Sequence, residues 1–105
     1  MQPTITARHC EISEALRARA VAVVERIGSL ATRPMESTVV FDADGSQQTV
    51  EIRLHLAQGE TLVARGEAGD HRTALDRAEE RLKRQIERAS DRPRRARSAQ
   101  PNNPL

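Results

Sequence analysis

The apolar positions of this chain change period from one segment to the next. Thr4-Ile5-Thr6-Ala7-Arg8 alternates with period 2 and is rich in β-branched residues, which predicts a short first strand. Leu16, Ala20, Val23, Ile27 and Leu30 then step by four and three, the stripe of an amphipathic helix. Ser13 is placed to cap that helix, Glu14 sits in its first turn, and Gly28 marks its fraying end before the Arg33-Pro34 loop signal. Period 2 returns in three segments, Ser37 to Ala43, Thr49 to Leu56 and Thr61 to Glu67. Asp44-Gly45-Ser46 and Gln58-Gly59-Glu60 are the turns between them. In the second segment Val50, Ile52, Leu54 and Leu56 share one face, leaving Glu51, Arg53 and His55 on the other. Asp70 can cap a second helix from about His71 to Ala89 or somewhat beyond, with Leu75, Ala78, Leu82, Ile86 and Ala89 as its stripe and Gln85 beside it. Arg92-Pro93 limits its continuation.

The predicted order is β-α-β-β-β-α. Each helix has a single apolar stripe, so both should pack on one face of a four-stranded mixed sheet in an α+β domain spanning residues 1–92. The opposite face, with Thr49, Glu51, Arg53, His55, Val63 and Arg65, is left to solvent or a partner. Residues 93–105 are Arg, Ser, Gln, Asn and Pro with little to bury, and are expected to be a basic, disordered tail.

Composition adds a lopsided charge. The 105 residues carry a formal net charge of only +2, yet residues 81–97 hold eight basic side chains against Glu87 and Asp91. Such a local patch steers a protein toward a polyanion. Sixteen Arg against one Lys fits a GC-rich coding sequence, so the choice of Arg is not itself a functional signal. The lone Cys10 excludes an internal disulfide and fits a reducing compartment, where it reads as a small buried or strand-end thiol and not as a nucleophile. The N-terminus has no apolar run of signal-peptide or membrane-spanning length, so a cytoplasmic protein is expected.

Enzymatic chemistry finds no foothold. GxSxG, P-loop, HExxH and dinucleotide glycine motifs are absent. His9, Cys10, His55 and His71 lack metal-ligand spacing, so no metal, cofactor or small-molecule substrate is expected. The carboxylates Asp76, Glu79, Glu80 and Glu87 lie among arginines, where Glu79-Lys83 and Glu80-Arg84 are spaced as i,i+4 pairs.

The sharper pattern is the ladder Arg77, Arg81, Arg84, Arg88, Arg92 and Arg95, stepping by four, three, four, four and three. On a helix these guanidiniums share a flank, which suits either a polyanion or a solvated surface. With no Trp, no Tyr and one Phe, the chain offers no stacking platform for single-stranded bases. Nucleic-acid binding would therefore work through phosphate, ribose and shape, for which structured RNA is the best target. The rival functional readings are a general structured-RNA module and a protein-interaction domain acting on a transcription or stress regulator through the open sheet face.

Three stretches carry a resemblance: Ile5-Thr6-Ala7-Arg8-His9 with Glu11-Ile12-Ser13-Glu14-Ala15-Leu16-Arg17; Gly59-Glu60-Thr61-Leu62-Val63-Ala64 with Asp70 and Thr73-Ala74-Leu75-Asp76; and Arg81-Leu82-Lys83-Arg84-Gln85-Ile86. In order and spacing they resemble the ribosome hibernation-promoting factor and ribosome-associated inhibitor family (sigma-54 modulation proteins), in its short form. The resemblance implies a layout like that of double-stranded-RNA-binding domains. It also implies a protein that binds the decoding region of the small ribosomal subunit and silences translation in stress; off the ribosome the chain is expected to be monomeric. On it, Arg81, Lys83, Arg84 and Arg88 are expected to contact rRNA phosphates, Arg92 to continue the row, and Arg8 and Arg17 to add contacts from the first strand and helix. Long-form members carry a further domain that pairs ribosomes. This sequence stops at Leu105, so it is not expected to form ribosome dimers unaided. Two departures from the family pattern, Ser29 to Pro34 after the first helix and His71-Arg72 at the start of the second, remove apolar contact area.

Overall fold

The computed structural model describes residues 2–31 and 33–99, with side chains through Arg88. Its elements run β1 (Thr4–Arg8), α1 (Glu14–Gly28), β2 (Pro34–Asp44), β3 (Gln47–Leu56), β4 (Thr61–Ala68) and α2 (His71–Ala99). The four strands form one sheet in the order β1-β2-β3-β4, with β1 parallel to β2 and the other pairs antiparallel. This is the mixed α+β arrangement that the changing period predicts.

Register explains why one face is buried. Ile5, Val39, Ile52 and Ala64 form one cross-strand row, and Val50 lies between Phe41 and Gly66 in another. Against these rows α1 buries Ala20, Val23, Val24 and Ile27, and α2 buries Ala74, Leu75, Ala78, Leu82 and Ile86. All belong to one core. Phe41, the one aromatic side chain besides the histidines, is fully buried at its centre.

The turns and caps follow the sequence. Gly45 adopts φ +64° in the two-residue turn between β2 and β3, a conformation that costs a residue without Cβ nothing. Ser13 Oγ accepts from the Leu16 N–H at 3.0 Å, capping α1. Asp70 caps α2 in the same way, accepting from the Thr73 N–H at 2.9 Å and from its hydroxyl at 2.8 Å. These bonds hold the Asp70 carboxyl below its ordinary pKa.

Four details differ from the expectations. β2 begins at Pro34, earlier than Ser37, with a register shift between Pro34 and Glu36. Leu30 leaves the α1 stripe: the helix ends at Gly28 with Ser29 as its cap, and Leu30 is half exposed. Thr49 lies on the open face yet is buried. α2 continues through Pro93 to Ala99 instead of yielding at Arg92-Pro93. Proline forfeits its own bond to the preceding turn and crowds the carbonyl four residues back, a cost that the helix-favouring Arg and Ala around it work against. Residues 100–105 of the expected tail lie outside the described residues.

His71 compensates for lost apolar area where α2 begins. Its ring packs edge-on against Phe41, with centroids 5.4 Å apart, and Nε2 donates to the Asp42 carbonyl at 2.9 Å. Cys10 is half-buried beside it, Sγ 4.0 Å from the same nitrogen.

Candidate nucleic-acid interface

α2 runs beside β4, and Gly66 is what lets it come close. A Cβ at that position would collide with the Ala74 carbonyl oxygen and the Ala78 nitrogen. β4 is an edge strand, so its outward carbonyls have no strand to accept from. Three α2 side chains supply the donors instead. Arg77 Nη1 donates to the Glu67 carbonyl at 2.6 Å, Arg81 Nη1 to the Arg65 carbonyl at 2.5 Å, and Gln85 Nε2 to the Val63 carbonyl at 2.7 Å. The match is geometric. Four helix residues advance about 6 Å and two strand residues about 6.8 Å, and the elements run in opposite directions.

The other flank of α2 faces α1 and is built from ion pairs. Arg26 makes a bidentate contact with Glu79, Nε to Oε2 at 2.8 Å and Nη2 to Oε1 at 3.1 Å, and Arg19 Nη2 meets Asp76 Oδ1 at 2.9 Å. The hydrogen bond to Glu79, then its charge, raises the Arg26 pKa. The sequence pairing of Glu79 with Lys83 is therefore corrected: α1 brings Arg26 alongside, and its planar fork matches the carboxylate better than lysine does. Glu80 does meet Arg84, loosely, at 3.8 Å between two exposed groups.

The open sheet face is charge-balanced. Arg53 pairs with Glu51 at 2.7 Å, Arg65 with Glu67 at 3.7 Å, and Arg8 with Asp42 at 3.2 Å. Asp42 also accepts from His9 Nδ1 at 3.0 Å and from the Ala43 N–H at 2.8 Å. The His9 bond first, then the Ala43 bond, and last the charges of Arg8 and His9, outweigh the desolvation cost and hold its carboxyl below the ordinary value.

Placed on this frame, the residues singled out from the sequence do not form one patch. Arg81, Arg84 and Arg88 share the β4 flank of α2 with Arg77, and all four are exposed. Lys83 is turned away, one residue from Arg84 and therefore about 100° round the helix, toward the α1 side. Arg17 lies on the flank of α1 opposite Arg19 and Arg26, and Arg8 is tied to Asp42 at the far edge of the sheet. The side chain of Arg92 lies outside the described residues. The sequence reading also missed the Arg77, Arg81 and Gln85 bonds. The i, i+4, i+8 spacing of three long donors opposite an edge strand was the available signal.

The profile of the Sigma 54 modulation protein / S30EA ribosomal protein family matches residues 4–94. The chain belongs to that family. A curated relative, the ribosome hibernation promotion factor of Rhizobium meliloti (strain 1021), is 29% identical over 92 residues, covering 84% of this chain and 47% of the relative. The chain thus spans about half the length of the curated relative it matches. Among solved structures, the N-terminal domain of Protein Y from Thermus thermophilus superposes with a TM-score of 0.73 at 27% identity, covering 84% of this chain and 98% of that one. A ribosomal subunit interface protein from Coxiella burnetii shares the fold, with a TM-score of 0.72 at 20% identity, covering 87% of this chain and 99% of that one. Among the described residues no helix is long and apolar enough to cross a membrane, and no group of three or more His, Cys, Asp or Glu is arranged to hold a metal ion.

Proposed function

We propose that this protein binds the small ribosomal subunit in the cytoplasm, as a monomer, and inhibits translation by occupying the decoding region, where the β4 flank of α2 contacts rRNA phosphates. It works by binding and not by catalysis. Family membership supports the ribosome as partner, as does the hibernation role named for the Rhizobium relative. The single observation that carries the contact surface is the exposed row Arg81, Arg84 and Arg88, whose only carboxylate partner among the described residues is the loosely held Glu80. Lys83, Arg17, Arg8 and Arg92 are secondary candidates, since none has been placed in that row with a free, described side chain. A site limited to that three-arginine row spans about 10 Å of helix, the length of about two phosphates along one RNA strand.

Cosedimentation with small subunits under rising salt tests this directly. Binding should be tight at low salt and fall steeply, because each neutralised phosphate releases counterions. Replacing Arg81, Arg84 and Arg88 together by Glu should abolish cosedimentation with helical content unchanged. Equal affinity of that variant and the parent would remove the row from the interface.

A further inference from the structure

Arg77 is not among the residues that the motif resemblance marks for rRNA contact, yet the fold treats it as it treats Arg81. Its Nη1 donates to the Glu67 carbonyl, as that of Arg81 does to the Arg65 carbonyl one turn further on. A guanidinium carries five N–H donors in one plane, so a single bond to a carbonyl leaves most of the fork unused. The acceptor is neutral, so the positive charge is not cancelled. The side chain is exposed, and the carboxylates nearest to it in sequence and register are engaged elsewhere: Asp76 with Arg19, Glu80 with Arg84, and Glu67 with Arg65.

We propose that Arg77 is a further phosphate contact, held in a fixed orientation by the Glu67 carbonyl, and that Arg77 and Arg81 act as two fixed forks about 6 Å apart along the β4 edge. The proposal rests on the nucleic-acid reading given above and extends its surface by one helical turn toward the start of α2. The physical reason is preorganisation. A long arginine side chain normally loses rotamer freedom when it meets a phosphate, whereas these two have already lost it on folding. Arginine matters here for a second reason. It can donate to a carbonyl with one edge and to a phosphate with another, while the compact lysine ammonium cannot present a planar second edge.

The test is binding of the full chain to purified small ribosomal subunits between about 50 and 200 mM salt, with Arg77→Gln, Arg77→Lys, Arg84→Gln, Arg88→Gln and Arg26→Gln compared with the parent. Arg77→Gln should weaken binding roughly fivefold and lower the slope of log affinity against log salt by about 0.7–0.9, the loss of one phosphate contact. Arg77→Lys should keep the slope and lose about threefold in affinity, because charge is retained and orientation is not. Arg26→Gln removes the same single positive charge from the α1 flank, away from the row, and should leave the slope unchanged. Thermal unfolding of each variant fixes a temperature at which all are folded, so a destabilised Arg77→Gln still reports on binding, and Arg77→Lys reports independently. An unchanged slope and affinity in Arg77→Gln, alongside losses in Arg84→Gln and Arg88→Gln, would show that Arg77 only straps the strand. That result would overturn the proposal and leave the ribosomal reading standing. If the parent chain itself does not bind subunits at low salt, both fall.

Discussion

The two flanks of α2 use arginine in opposite ways. Facing α1, Arg19 and Arg26 meet Asp76 and Glu79, and each positive charge ends beside a negative one. Facing β4, Arg77 and Arg81 meet backbone carbonyls, which orient the guanidinium and leave its charge intact. A carboxylate partner turns an arginine into an internal fastener between helices. A carbonyl partner fastens it equally well and still offers a cation to the outside. The potential around this protein therefore depends less on how many arginines it carries than on what each one donates to.

The contrast can be broken most severely at Gly66, on which the β4 flank depends. Gly66→Ala should destabilise the fold by about 2–3 kcal/mol in chemical denaturation, because the added methyl meets main-chain atoms that cannot move aside. Weaker subunit binding should accompany it as the straps to β4 lengthen. Next in size, Arg77→Ala, Arg81→Ala and Gln85→Ala combined should cost about 2 kcal/mol, the sum of three partly exposed hydrogen bonds. The uncovered strand edge should also make self-association rise with concentration in sedimentation velocity, which no change on the α1 flank should do. Smaller again, Glu79→Gln should cost about 0.5–1 kcal/mol, a loss that shrinks in high salt, since the Arg26 side chain is largely exposed.

The smallest effect is a pH dependence at the start of the shared helix. Asp70 has a folded pKa below its ordinary value near 3.8, so its contribution to stability is present above that value. It is lost as pH falls through the lower folded value. The β4 straps accept on carbonyls, which do not titrate, so acid should loosen the α2 cap while leaving those straps in place. Acid unfolding of Asp70→Asn, which can still cap but carries no charge, should lack this component of the pH slope.

Much of the fold was legible in the sequence. The β1 range, the start and cap of each helix, and the alternation that buries Val50, Ile52 and Leu54 follow from period, turn residues and capping chemistry. Boundaries set by tertiary contact were less legible. The early start of β2 depends on pairing with β3, and the exposure of Leu30 depends on where α1 stops. For the site, periodicity correctly put Arg77, Arg81, Arg84 and Arg88 on one flank. It could not say that Glu79 turns to Arg26 or that Asp42 holds Arg8, because those partners come from elements 53 and 34 residues away. Local spacing overestimates i,i+4 pairing wherever a second helix brings a better fork.

The three straps between α2 and β4 also say something about how the chain reaches its fold. They join residues 10, 16 and 22 apart in sequence, each one turn further from the connecting bend than the last. Once the bend at Gly69-Asp70 has formed, every later strap closes only a slightly longer loop, so strand and helix can zip together from the bend outward. The parallel β1–β2 pairing instead joins residues 34 apart and must wait for α1 to cross over. These separations predict a nucleus in the carboxyl-terminal half, so substitutions in β1 should change the unfolding rate more than the folding rate.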